Sequence, residues 1–448
     1  IMGLDPIFSI ENIIISLILI IALFSLVFFY SKIITDNPLH KYLMYGLGFK
    51  ILMSIAFIMI YYFFYGGGDA YWYCYNAKCL VNSFFYHPSE ITRIIISGNI
   101  DPENYYRLFS VNTGYPATDL LYDPKTLAVS RFAFPILFIT QNYISTTILV
   151  SMFAFIGQWK MFTLLNKLFP NFTKYAAIAV LFFPSPTFWS SGILKDTFIY
   201  GAALWSIYNF YQIFVYKKNI LGNLFLFIMN FYIIILIKPY VAVALLPSLV
   251  LLFSLSYIRQ IKNRFIRYFV APFGLLLAFV ISIVIYTSIG SSLGPYGSVQ
   301  SAINKAYITQ QDFLKNVTYS EHKYDIGEFE PTIPSIISKF PKAVFFGFFG
   351  PFIWQADNLT MLLAALESLA LLIIIAYLLY KIRWRFFKFI FQNDFLIFAL
   401  VFSLIFIFFV GLSSANYGSL SRYRIPALPL FLSSLFAIYN YSKQQKIL

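Results

Sequence analysis

Carboxylates, histidine and cysteine are all scarce in this chain: 18 of its 448 residues are Asp or Glu, 3 are His and 2 are Cys. So small a set excludes a zinc module built on Cys and His, and Cys74 and Cys79 form neither a CxxC redox motif nor a disulfide framework. Both read as ordinary packing residues. His40, His87 and His322 are too scattered in sequence to make a metal site. Charge of either sign is rare, at 11%, beside 60% hydrophobic residues. That balance excludes a single water-soluble core and calls for lipid as the solvent. Period-two alternation is missing, which excludes a membrane β-barrel. Lys and Arg are missing from Ile1 to Asn12, where Asp5 and Glu11 stand instead. The first apolar stretch is therefore expected to be a retained span, not a secretory signal.

What is present in abundance is long apolar sequence. Runs such as Ile13 to Tyr30, Leu359 to Tyr380 and Phe395 to Leu412 can each cross an apolar layer of about 30 Å at a helical rise of about 1.5 Å per residue. The expected fold is all-α, a polytopic membrane protein forming one domain over 1–448. About eleven spans are expected, near 11–31, 44–65, 132–158, 175–191, 197–216, 220–237, 240–258, 268–289, 359–380, 395–412 and 425–441. Every second connection is basic: Lys32, Lys41 and Lys50; Lys160, Lys167 and Lys174; Lys217 and Lys218; Arg259 to Arg267; Lys381 to Lys388; and Lys443 and Lys446, with only Asp36 and Asp394 as acids. By the positive-inside rule this face is cytoplasmic, with the N-terminus outside and the C-terminus inside. The net charge of +14 thus needs no nucleic-acid partner. Two long polar connections, 66–131 and 290–358, fall outside and are expected to be folded. Ala70 to Tyr86 reads as an interfacial helix, and Ala343 to Trp354 as a re-entrant or surface segment too short to span. Asn316-Val317-Thr318 fits a glycosylation sequon, a tripeptide frequent by chance.

Rare acids and outer cations mark the candidate site. Gly66-Gly67-Gly68-Asp69 follows the apolar run Ile51 to Tyr65 and precedes Tyr71, Trp72, Tyr73 and Tyr75. The glycines permit a sharp turn beside a carboxylate, or simply a bend at the lipid headgroups. In Pro184 to Asp196 two prolines break one helix and Lys195-Asp196 opens the next. Asp196 is either a favourable charge at a helix N-terminus or a partner of Asp69, with Lys195 binding phosphate. Lys238, beside Pro239, snorkels to headgroups or meets the same ligand. Arg422 and Arg424 suit phosphate, carboxylate pairing or headgroup anchoring. Glu367, inside an apolar run, is either an acid in an outward-facing cavity or a buried carboxyl hydrogen-bonded to a neighbouring helix.

These motifs give the chain a resemblance to the GT-C class of integral membrane glycosyltransferases, especially bacterial members associated with surface polysaccharides. The residues concerned are Gly67-Gly68-Asp69 with Tyr73 and Ala77-Lys78, then Phe188 to Asp196, then Arg422-Tyr423-Arg424-Ile425-Pro426. Short motifs carry it over about residues 44–441. The resemblance implies transfer of a sugar from a polyprenyl phosphate donor to an acceptor hydroxyl on a glycan, lipid or protein, at the outer face of a bacterial cytoplasmic membrane. It implies Asp69 and Asp196 as catalytic carboxylates, Lys195, Lys238, Arg422 and Arg424 as donor phosphate ligands, and a divalent cation (Mg or Mn) as a cofactor to weigh at Asp69 and Asp196. One departure is that two spans precede the catalytic loop where the class commonly has one. A glycan polymerase, ligase or oligosaccharyltransferase using a diphosphate-linked glycan is the alternative, and a lipid or solute transporter a second. A transporter would show ionisable groups at mid-membrane, broken helices and repeat symmetry, and no repeat is found.

Overall fold

A computed structural model describes residues 7–33, 39–288, 290–315 and 322–445. The sequon at Asn316-Val317-Thr318 and the charged residues Asp5, Asp36 and Lys446 lie outside the described residues. Among those described, every regular element is helical, with one isolated bridge between Lys323 and Asn416. Among the described residues, seven helices are long and apolar enough to cross a membrane: Ile10–Lys32, His40–Phe63, Tyr143–Leu168, Ile220–Ile237, Pro239–Gln260, Leu359–Ile382 and Asp394–Ser413. An eighth is a pair, Tyr417–Tyr423 and Leu428–Gln444, bent by 68°. Ile10, Ile18, Ile21, Leu26 and Phe29 are all exposed along the first of these, an apolar surface that only lipid or another protein would cover. The chain is an integral membrane protein.

Two of the eleven expected stretches are not single long apolar helices. Around 175–191 a short helix, Thr173–Ala176, widens into a π turn at Ala177–Leu181, and Pro184 and Pro186 start a new helix, Pro184–Trp189. Around 197–216 the α-helix Lys195–Phe210 gives way to a second π turn, Tyr211–Val215. The expected stretch near 268–289 coincides with one continuous helix, Arg264–Ser288, whose apolar part includes Pro272–Ser288. The expected span at 132–158 is also divided. Gln141 adopts a left-handed φ of 48°, and Asn142 Oδ1 accepts from the N–H groups of Ile144 (2.8 Å) and Ser145 (3.2 Å), capping a fresh start. Hydropathy does not see such a break, because residues on both sides are equally apolar.

The chain divides into two compact units. The first comprises Ile1–Thr163, Thr187–Trp205 and Tyr232–Lys238; the second comprises Leu164–Pro186, Ser206–Phe231 and Pro239–Leu448. In the first, the connection 66–131 is folded: helix Gly68–Phe84 packs on Pro124–Thr140 and Pro88–Ser97. Its own small core includes Cys79, Leu80, Ile91, Ile94, Phe109 and Leu127. Cys74 and Cys79 are free and buried, and burial pushes both thiols up to about 12, so neither is a nucleophile at neutral pH. In the second unit, Asp394–Ser413 packs against Pro239–Gln260, Phe340–Phe349 and Leu428–Gln444. Connection 290–358 holds helices Val299–Lys315, Ile333–Ser338 and Phe340–Phe349.

Candidate functional site

Asp69 lies in the first turn of helix Gly68–Phe84 and is exposed. What puts it there is a turn that only glycine makes without strain: Gly66, Gly67 and Gly68 have φ of 60°, 106° and 52° in succession. Gly67 N–H donates to Tyr61 O at 2.7 Å, which fixes the turn to the end of the preceding span. A carboxylate in a first turn faces the helix's unpaired N–H groups and the positive end of its dipole. Of the following aromatics, Tyr71 and Tyr73 are buried and Trp72 is exposed. The run is thus split between core and surface, and Lys78 is half-buried.

In the same unit, one helix start gathers four charged side chains. Lys195 Nζ donates to Asp123 Oδ2 at 3.2 Å, and the next residue, Asp196, accepts from Lys238 Nζ at 2.5 Å through Oδ1. The two pairs differ in solvation. Side chains of Asp196 and Lys238 are 3% and 10% exposed, against 41% and 21% for Asp123 and Lys195. The inner pair is enclosed, and the outer one is partly open to solvent. Asp123 also caps helix Pro124–Thr140, accepting from Lys125 N–H (3.3 Å), Thr126 N–H (3.2 Å) and the Thr126 hydroxyl (2.5 Å). Partial burial would raise its carboxyl, but the Thr126 hydroxyl and the Lys195 ammonium outweigh that and hold it below the usual carboxylate value. A depressed pKa stabilises the fold above the ordinary carboxylate pKa of about 3.9 and ceases to as pH falls through the lower folded value. The melting-temperature gap between wild type and Asp123→Asn in detergent is therefore expected to be wider at pH 7 than at pH 3; an equal gap at both would refute the ionic contribution.

The sequence reading missed two residues in this unit. Asp123 had a visible signal: an acid directly before Pro124 is an N-cap followed by proline at the first helical position. Lys50, expected in a basic connection, is placed elsewhere by the structure. It lies within His40–Phe63, fully buried, with Nζ donating to Ser190 Oγ (2.7 Å), Ser190 O (2.8 Å) and Thr187 O (3.3 Å). The rule that flagged Glu367, an ionisable group inside an apolar run, applies equally to Lys50. Close by, Gly192 abuts the buried Phe57, and a Cβ there would overlap the ring. Gly192→Ala is expected to cost about 1–3 kcal/mol, as overpacking does, with part recovered by Phe57→Leu; thermal unfolding of the two single variants and the double checks it.

Glu367 and the two arginines belong to the second unit. The Glu367 side chain is 9% exposed; Oε2 accepts from Ser185 N–H at 2.9 Å, and Oε1 lies 3.9 Å from Arg424 Nη2. Arg424 is fully buried, and Nη1 donates to the carbonyls of Gly350 (2.6 Å), Phe348 (3.1 Å) and Gly347 (3.4 Å), while Nη2 donates to Ser368 Oγ (3.0 Å). These are internal contacts of the hydrogen-bonded, carboxylate-paired kind. Arg422 is half-buried. The predicted residues therefore fall into two groups: Asp69, Lys195, Asp196 and Lys238 in the first unit, Glu367, Arg422 and Arg424 in the second.

A divalent ion needs several hard oxygen ligands. Among the described residues no group of three or more His, Cys, Asp or Glu converges, and the Asp196 carboxylate is engaged by Lys238. Comparison with known proteins gives no match: no family profile fits the sequence, and no curated protein or solved structure is significantly similar to the chain.

Proposed function

We propose that the protein is a membrane glycosyltransferase of GT-C type, moving a sugar from a polyprenyl phosphate donor to an acceptor hydroxyl at the outer membrane face. The observation that carries the reading is the pair of ion pairs opening helix Lys195–Phe210, in the same unit as the exposed Asp69. In this reading Asp69 is the base. It takes the proton of the acceptor hydroxyl as that oxygen bonds to the anomeric carbon, and the bond from that carbon to the lipid phosphate oxygen breaks, inverting the centre. The phosphate leaves with the bonding electrons, and Lys195, released from Asp123, meets its charge. Asp196 and Lys238 hold the helix start in place by their enclosed pair. The basic connections support an outward-facing site by the positive-inside rule.

Transport is a second reading with its own support. Lys50 and Glu367 lie within apolar helices, and short helices such as Phe340–Phe349 interrupt the bundle, as transporters also arrange them. Against it, the cations Lys50 and Arg424 are consumed by backbone carbonyls. The deciding experiment reconstitutes the purified protein in vesicles with a radiolabelled decaprenyl phosphate sugar and lipid acceptors. Label appearing in a new glycosidic product supports transfer; movement of labelled lipid across the bilayer with no such product would replace it with transport.

A further inference from the structure

Lys50 brings an amine into an apolar helix, where among the described residues it donates to neutral acceptors. An ammonium has three N–H donors, and here three acceptors stand within 3.3 Å of Nζ. Two of these acceptors are carbonyls at the end of the short helix Pro184–Trp189, where the last C=O groups have no partner within the helix. In an apolar layer such groups must be satisfied by protein. Neighbouring side chains add to the same set of contacts, with Ser191 Oγ donating to Thr187 O at 2.6 Å, Gln158 Nε2 to Thr187 Oγ1 at 3.2 Å and Thr197 Oγ1 to Gly192 O at 2.6 Å. A cation at a helix C-terminus is further favoured by the dipole.

The helix that supplies Lys50 grips the same stretch at two more points. Phe57 packs on Phe188 at a ring separation of 5.5 Å, and Tyr61 on Trp189 at 6.5 Å. Tyr61 O also receives the Gly67 N–H, so one helix references both the glycine turn before Asp69 and the segment before Lys195. We infer that Lys50 is a positioning residue: by ending the short helix within the apolar layer it fixes where Lys195 and Asp196 begin theirs. Its consequence for ligand binding rests on the transferase reading; its consequence for local order does not.

The test uses the full chain in lipid nanodiscs, comparing wild type, Lys50→Met, Lys50→Arg and Ser190→Ala by hydrogen exchange and by decaprenyl phosphate binding. Losing charge-assisted hydrogen bonds is expected to raise amide exchange over residues 190–197 about tenfold or more in Lys50→Met, with helix Gly68–Phe84 unchanged. Ser190→Ala is expected to give a smaller rise, and Lys50→Arg to return exchange and phosphate affinity toward wild type. Unchanged exchange over 190–197 in Lys50→Met overturns the inference; should that variant not fold, unchanged exchange in Ser190→Ala does so. Raised local exchange in a protein whose wild type binds no decaprenyl phosphate upholds the positioning role and removes the phosphate reading instead.

Discussion

Replacing Asp69 with Asn is expected to slow sugar transfer by about 10²- to 10⁴-fold, the usual contribution of a positioned general base, while donor binding stays intact. Asn keeps the size of the side chain and can still accept from N–H groups of the first turn, so helix Gly68–Phe84 is expected to form as before. What it loses is the capacity to take a proton. Asp69→Glu keeps that capacity but moves the carboxylate outward, and an intermediate rate is expected. The readouts are single-turnover transfer at saturating donor and donor affinity measured separately, which separate chemistry from binding. An Asn variant with wild-type transfer would remove Asp69 from the mechanism and return the glycine turn to a bend at the lipid headgroups.

How far the sequence could be read depends on the scale of the feature. Spans such as Asp394–Ser413 follow from length and apolarity alone. The ends of short helices such as Pro184–Trp189 and Phe340–Phe349 do not, because they are set by contacts distant in sequence. Lys50 meets Ser190 across 140 residues and Arg424 meets Gly350 across 74. The same holds at the candidate site. Lys195, Asp196 and Lys238 are each conspicuous in an apolar chain, but their pairing is not: Lys238 finds Asp196 at a separation of 42 residues and Lys195 finds Asp123 at 72. Charge scarcity identifies the actors, and only the fold decides which of them neutralise each other. Lys50 falls outside the positive-inside rule because it stands within the helix His40–Phe63 and not in a connection.

Replacement of Arg424 is expected to strike stability first. The guanidinium ends helix Phe340–Phe349 by donating to three carbonyls from one nitrogen and to Ser368 from the other, with Glu367 alongside. The 3.9 Å approach to Glu367 is an ion pair without a hydrogen bond, and Glu367 Oε1 has none from any described residue. Arg424→Met would leave that carboxylate buried beside unpaired carbonyls, a loss of about 3–5 kcal/mol for breaking a buried pair from one side. Arg424→Lys should also be costly, since a point-like ammonium cannot reproduce a planar fork spanning carbonyls and Ser368 together. Adding Glu367→Gln to Arg424→Met removes the stranded charge and should restore part of the stability, a sign that coupling runs through the pair. Thermal unfolding of the four proteins in one detergent measures this. A donor phosphate role predicts the opposite pattern: an Arg424→Met protein that melts as wild type does but no longer binds decaprenyl phosphate. Since Arg424 has no exposed surface and its Nη donors are engaged by three backbone carbonyls and by Ser368 Oγ, the stability loss is the expected result.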